Sequence, residues 1–174
     1  DVYKRQLPYI AFTFLIVGTL VRFFYFERNW TTKSSEFLEK KQLRIANPLF
    51  HFGLLCVIGG HVVGVLVPKT WTAAMGINDH MYHEGALYMG AVAGIIFIVG
   101  FLLLMKRRFT VPAMKVNTSG LDKWLYLFLT LAIFSGMAGT LLNASGFFDY
   151  RVSIGPWFRS LLSFMPDPSL MEGV

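Results

Sequence analysis

The stretch Leu49 to Val67, LFHFGLLCVIGGHVVGVLV, decides how this chain folds. It is apolar over a length that, as a helix, crosses about 30 Å of hydrocarbon. Two ionisable residues, His51 and His61, nevertheless stand inside it. An imidazole in hydrocarbon is costly and rarely faces lipid, so each one needs a partner, and imidazole is among the commonest metal ligands. At about 1.5 Å and 100° per residue, the two rings lie roughly 15 Å apart along the axis and about 80° apart around it. One helix thus offers two ligands at different membrane depths. That geometry suits two haems, one near each leaflet, better than one shared metal centre. Alternatively, both imidazoles hydrogen-bond to neighbouring helices and hold a membrane bundle together.

Three more segments reach the same length: Leu7 to Phe26, Gly85 to Met105 and Trp124 to Leu142. With 55% hydrophobic, 16% aromatic and only 15% charged residues over 174 positions, the chain has more apolar surface than one soluble core buries. The mean hydropathy of +0.53 points the same way. The expected fold is an all-α integral membrane protein: an antiparallel bundle of four transmembrane helices in one membrane domain, residues 7–174. An outer amphipathic helix completes it. Residues 1–6 have no assigned role, and a start at Asp1 with no methionine reads as a fragment. The one cysteine, Cys56, provides neither a disulfide framework nor the cluster that an iron–sulfur centre needs. A redox cofactor here depends on histidine.

A net charge of +6 and a pI near 9.6 raise the question of nucleic acid, but the basic residues follow membrane topology instead. Arg28, Lys33, Lys40, Lys41 and Arg44 lie between the first two spans, and Lys106, Arg107, Arg108, Lys115 and Lys123 between the last two. These two connections are expected in the cytoplasm. The connection holding Lys69 and the tail holding Arg151 and Arg159 fall on the other side. Both termini are then outside the cytoplasm of a bacterial or archaeal cell. No nucleic-acid partner is expected; membrane lipid is.

Local signals place the ends. Phe23 to Phe26 and Trp30 form an interfacial aromatic belt, Ser34 to Lys41 suits a short surface helix, Pro48 starts the second span and Pro68 stops it. Pro68 to Gly85 reads as a polar and aromatic loop. Gly60 and Gly64, Gly90 and Gly94, and Ser135 and Gly139 have the spacing that lets helix backbones approach. The stripe of Gly53, Gly60 and Gly64 lies roughly 120° from the midpoint of the two histidines, so it reads mainly as a packing face. From Pro156 to Met165, Trp157, Phe158, Leu161, Leu162 and Met165 repeat at helical spacing, as in a helix lying on a membrane surface.

The remaining polar groups are weaker pointers. His80 and His83 form an HxxH pair beside Asp79 and Glu84, too few converging ligands for a metal site. His80 is the better placed of the two to take a proton from a quinol near His61, and Gly60 is a second candidate for that pocket. Lys106, Arg107 and Arg108 are topology determinants, with Arg108 a candidate contact for a haem propionate. Asp149, Asp167 and Glu172 read as solvated, and no hydrolytic constellation is present.

Several stretches together resemble one family, the gamma subunit of respiratory nitrate reductase, a dihaem cytochrome b that anchors its complex to the membrane. They are PYIAFTFLIVGTLVR (8–22), NPLFHFGLLCVIGGHVVGVLVP (47–68), LLLMKRR (102–108) and NTSG (117–120). The resemblance implies five helices around two b-type haems, each held by one histidine from the second helix and one from the fifth. His51 would then ligate the haem nearer the cytoplasm and His61 the outer one. The fifth helix and its two histidines are not in this sequence. The resemblance further implies quinol oxidation near the outer haem and electron delivery through the inner one. The recipients would be a cytoplasmic iron–sulfur subunit and a molybdenum catalytic subunit that holds the nitrate chemistry. Two other expectations remain open: a similar dihaem subunit of a sulfite-reductase or heterodisulfide-reductase-like complex, and a haem-free membrane scaffold or transporter.

Overall fold

A computed structural model describes residues 2–26, 37–146 and 149–171 of the chain. The described residues are mostly helical, and four of the helices are long and apolar enough to cross a membrane. The chain divides into two compact units: Ser35–Asp149, and Asp1–Ser34 with Tyr150–Val174.

In the first unit, a turn of helix α1 (Val2–Arg5) leads into α2 (Leu7–Tyr25), whose apolar sequence leaves no residue buried and no charge before Arg22. The amphipathic segment forms α8 (Ile154–Leu162), followed by a short 3₁₀ turn, Pro168–Met171. Three side chains tie this tail to the start of α2. The Tyr9 hydroxyl donates to the Leu161 carbonyl at 2.8 Å, Trp157 Nε1 to the Lys4 carbonyl at 3.0 Å and Lys4 Nζ to the Met171 carbonyl at 2.9 Å. Phe12 meets Phe158 and Tyr9 stacks on Phe164, while Leu161 is fully covered. Lys4 lies in the stretch that carries no role in the sequence reading, yet it contributes two of these ties.

The second unit holds the other spans, and two of them run well past the expected ends. Helix α3 covers Lys41–Leu66, so Pro48 lies inside it rather than at its start. Proline removes one intrahelical hydrogen bond, but Glu39 secures the end about two turns earlier by accepting from the Gln42 N–H at 2.8 Å. Of the short surface helix expected over Ser34 to Lys41, residues 34–36 lie outside the described residues, as does Trp30. Phe37 and Leu38 form a turn, and Lys41 already belongs to α3. The expected loop from Pro68 to Gly85 is mostly helix. It contains α4 (Lys69–Ala74), closed by Gly76 at φ +78, and the first turns of α5 (Asp79–Thr110). Asn78 caps α5 by accepting from the Met81 N–H at 2.8 Å. At 32 residues, α5 is about 48 Å long against about 30 Å of hydrocarbon, so its polar ends stand outside the apolar layer. A short α6 (Pro112–Val116) then leads to α7 (Gly120–Ala144), which starts with a capping box of Ser119 and Asp122.

Helices α3 and α5 form the core of this unit and run antiparallel. A Cβ built on Gly53 would sit 2.5 Å from the Phe97 nitrogen. One built on Gly100 would meet the Phe50 nitrogen and lie 2.6 Å from the Phe50 Cα. The close backbone approach is therefore made by Gly53 and Gly100. Around Gly60, Gly90, Gly94 and Gly139, by contrast, no described residue beyond the neighbouring backbone of the same helix lies within 4 Å of the added atom. Gly64 is buried, so the glycine stripe of α3 is a packing face at Gly53 and Gly64. Helix α7 joins α5 through Phe101, Phe109 and Tyr126 and through an ion pair between Arg108 and Asp122.

Candidate functional site

Both histidines project from α3 with exposed rings, and each is held by its own helix. His51 Nδ1 lies 2.9 Å from the Asn47 carbonyl oxygen, and His61 Nδ1 lies 2.7 Å from that of Val57. In each case the partner is the carbonyl four residues earlier, one turn toward the start of the helix, which is where side chains of a helix lean. A carbonyl only accepts, so Nδ1 carries the proton, and the lone pair of the neutral ring is on Nε2, pointing away from the backbone. An Nδ1–H bonded to a carbonyl with Nε2 left open is the usual arrangement of a metal-ligating imidazole. Among the described residues, the hydrogen bond of each ring stays within its own helix.

The donor set discriminates among metals. Among the described residues, no group of three or more His, Cys, Asp or Glu side chains converges to hold an ion. A bare ion such as zinc needs three or four protein ligands. Haem iron brings four porphyrin nitrogens and asks the protein only for axial ligands. One open Nε2 at each of two depths therefore fits haem better than a naked ion. Leu55, Ile58 and Val62 are exposed nearby and supply apolar surface of the kind a porphyrin edge packs on.

The expected quinol-site residues fall near the far end of α3 and at the beginning of α5. His80 and His83 are on the first turns of α5 rather than in a loop, and His80 Nε2 lies 3.7 Å from Glu84 Oε1 on the same exposed helix face. Gly60, beside His61, is exposed with open space where a side chain would go. Close by in the chain, Lys69 Nζ lies 2.8 Å from an Asp149 oxygen and 3.5 Å from Asp79. Asp149 is thus ion-paired rather than merely solvated. Asp167 accepts from the Ser169 N–H and hydroxyl, and Glu172 lies outside the described residues.

At the opposite end, the basic run of α5 is largely engaged. The Arg107 side chain is only 4% exposed, and its Nε donates to Glu39 Oε2 at 2.8 Å. Arg108 pairs with Asp122 at 2.8 Å, and its buried Nε has no hydrogen-bond partner among the described residues. Arg107 is therefore a structural residue as well as a topology signal, a role its position in a run of three cations conceals. The backbone N–H of Gln42 and the Arg107 guanidinium both hold the Glu39 carboxyl below its ordinary range.

Over residues 3–174 the chain matches the family described as Nitrate reductase gamma subunit. It is 46% identical over 169 residues to the Nitrate reductase gamma chain of Bacillus subtilis (strain 168), covering 97% of this chain and 76% of that protein. It is 31% identical over 134 residues to the Respiratory nitrate reductase 1 gamma chain of Escherichia coli (strain K12), covering 77% of this chain and 58% of that one. Against the Nitrate reductase-like protein NarX of Mycobacterium tuberculosis (strain ATCC 25618 / H37Rv), identity is 39% over 174 residues, 98% of this chain and 27% of the other.

Proposed function

The chain belongs to the nitrate reductase gamma subunit family, and from that premise we propose that it is the membrane-anchoring cytochrome b part of a quinol-oxidising nitrate reductase. The observation that carries this reading is the pair of open Nε2 atoms on α3, each set by an Nδ1 contact to a carbonyl of the same helix. His51 serves as axial ligand toward the cytoplasmic side and His61 toward the outer side. When bound, each haem supplies a one-electron carrier, and two at different depths serve to move charge across the bilayer.

The chain's own residues do the rest. The backbone carbonyls of Asn47 and Val57 fix the tautomer and the ring plane of each ligand before any cofactor arrives. His80, with Glu84 on the same face, accepts a proton from a quinol hydroxyl, and Gly60 leaves room for the quinol ring beside His61. Arg108, its charge balanced by Asp122, is the candidate contact for a haem propionate. The basic ends of α3, α5 and α7, on the cytoplasmic side by their charge, face the iron–sulfur and molybdenum subunits. Both ends of the sequence lie on the outer side of a bacterial or archaeal cytoplasmic membrane.

A reduced-minus-oxidised absorbance spectrum of the full-length protein in its membrane complex tests this reading. A b-type band that disappears on quinol-site inhibition of reduction, but returns with dithionite, is expected. Absence of any b-type band would sink it and favour the haem-free scaffold.

A further inference from the structure

The contact between α3 and α5 is reciprocal. Phe50 and Gly53 on α3 face Phe97 and Gly100 on α5, and each glycine receives the backbone of the other helix's phenylalanine. The same F-x-x-G spacing thus occurs twice, running in opposite directions, and the two phenyl rings meet at 5.2 Å across the crossing. A Cβ at Gly100 would lie 2.6 Å from the Phe50 Cα and 2.8 Å from the Leu49 carbonyl carbon, so no side-chain rotation relieves it. His51 follows Phe50 directly on α3, with its ring exposed. Its imidazole meets the Phe50 ring edge-on at 5.2 Å and 84°, while Nδ1 is held by the Asn47 carbonyl at 2.9 Å. His61 is ten residues further along α3, away from these aromatic contacts.

We propose that the Phe50–Gly53 and Phe97–Gly100 clasp positions His51, and with it the axial bond of the inner haem only, making Gly100 and Phe97 positioning residues for one of the two cofactors. The inference rests on the haem-ligand reading of His51 and His61. Its physical basis is that Phe50 and His51 are consecutive. The close-packed crossing cannot take up a methyl group without backbone movement, which shifts the adjoining imidazole root by a comparable amount and decays along α3 before His61, ten residues on. The orientation of an axial imidazole is one of the levers by which a protein tunes haem iron.

The test is a redox titration with low-temperature EPR of the full-length protein in its membrane complex, comparing the unaltered protein with Gly100→Ala, Phe97→Leu and Gly94→Ala. Gly100→Ala is expected to shift or abolish the inner-haem signal and leave the outer signal in place. Gly94→Ala, on the same helix with open space for the methyl, is expected to leave both signals unchanged. Should Gly100→Ala fail to assemble, Phe97→Leu decides, because it keeps the backbone contacts and removes only the ring that supports Phe50. A selective inner-haem shift in that variant supports the proposal. Unchanged signals, or equal shifts of both, overturn it while the haem reading stands. Absence of haem from the unaltered protein overturns both, which separates the two failures.

Discussion

Arg107 closes on Glu39 twice, Nε donating to the carboxylate at 2.8 Å and NH2 to the backbone carbonyl at 2.6 Å, across 68 positions of sequence. The same carboxylate caps α3 through Gln42. One residue thus fastens the connection ahead of α3 to the far end of α5 and starts the helix that carries both histidines.

The clasp is expected to depend on pH in one direction. The Glu39 carboxyl sits below its ordinary value of 4.5, first because of the Gln42 N–H and then because of Arg107. A depressed carboxyl stabilises the folded state fully above its unfolded value, and that contribution fades as pH falls through the folded one. Hydrogen exchange at the start of α3 should therefore rise below about pH 4.5, where a free glutamate begins to take up protons. In Glu39→Gln the exchange should already be raised at neutral pH and lose its acid dependence. An unchanged acid profile in that variant would assign the effect elsewhere.

Replacing His61 with Ala is expected to remove the outer haem signal and retain the inner one, and His51→Ala to do the reverse. Optical spectra with a pyridine haemochrome count would read a halved haem content in either variant. Full haem retention in both would argue that the imidazoles are not ligands.

Ser119 and Asp122 cap α7 reciprocally, the serine hydroxyl accepting from the Asp122 N–H at 3.2 Å and the carboxylate from the Ser119 N–H at 2.8 Å. Ser119→Ala should cost about 1 kcal/mol, the usual worth of such a cap. Thermal unfolding of the detergent-solubilised protein measures it. Asp122→Asn should cost more, because it also strips the charge from the Arg108 pair, which is only partly exposed.

The Tyr9 hydroxyl ties the tail to the start of α2, so Tyr9→Phe should loosen it. The Leu161 carbonyl would lose the Tyr9 hydroxyl and keep the Phe164 N–H at 3.1 Å, a penalty of about 1 kcal/mol. The expected result is faster proteolysis within residues 150–171 and little change in α3 or α5. Uniform destabilisation of every helix would contradict so local a role.

The apolar spans are legible in the sequence because hydropathy measures the thickness of hydrocarbon, and α2 ends within one residue of its expected limit. The same measure is blind to helix beyond the apolar layer. Lys41 to Pro48 and Asp79 to Glu84 therefore read as connections, although Glu39 and Asn78 stand at their heads as caps. The histidines are legible as a pair from spacing alone, and their tautomer follows from any helical residue having a carbonyl one turn back. What spacing does not disclose is which glycines touch another helix. The Gly53 and Gly100 contact depends on the register of two separate segments, whereas Gly90 with Gly94 has the expected spacing and meets no other helix within 4 Å among the described residues. Likewise Glu39 and Arg107 are too far apart in sequence for any local pattern to join them.

Because His51 and His61 hang from one unbroken helix and each leans on a carbonyl of that helix, the segment between them acts as a ruler. A helix resists stretching far more than it resists tilting, so thermal motion that rocks α3 carries both rings together and leaves their separation almost constant. Electron tunnelling weakens exponentially with distance. In the proposed dihaem arrangement, a spacing set by ten covalently joined residues, rather than by two independently moving supports, would keep the transfer rate between the haems steady while the surrounding bilayer fluctuates.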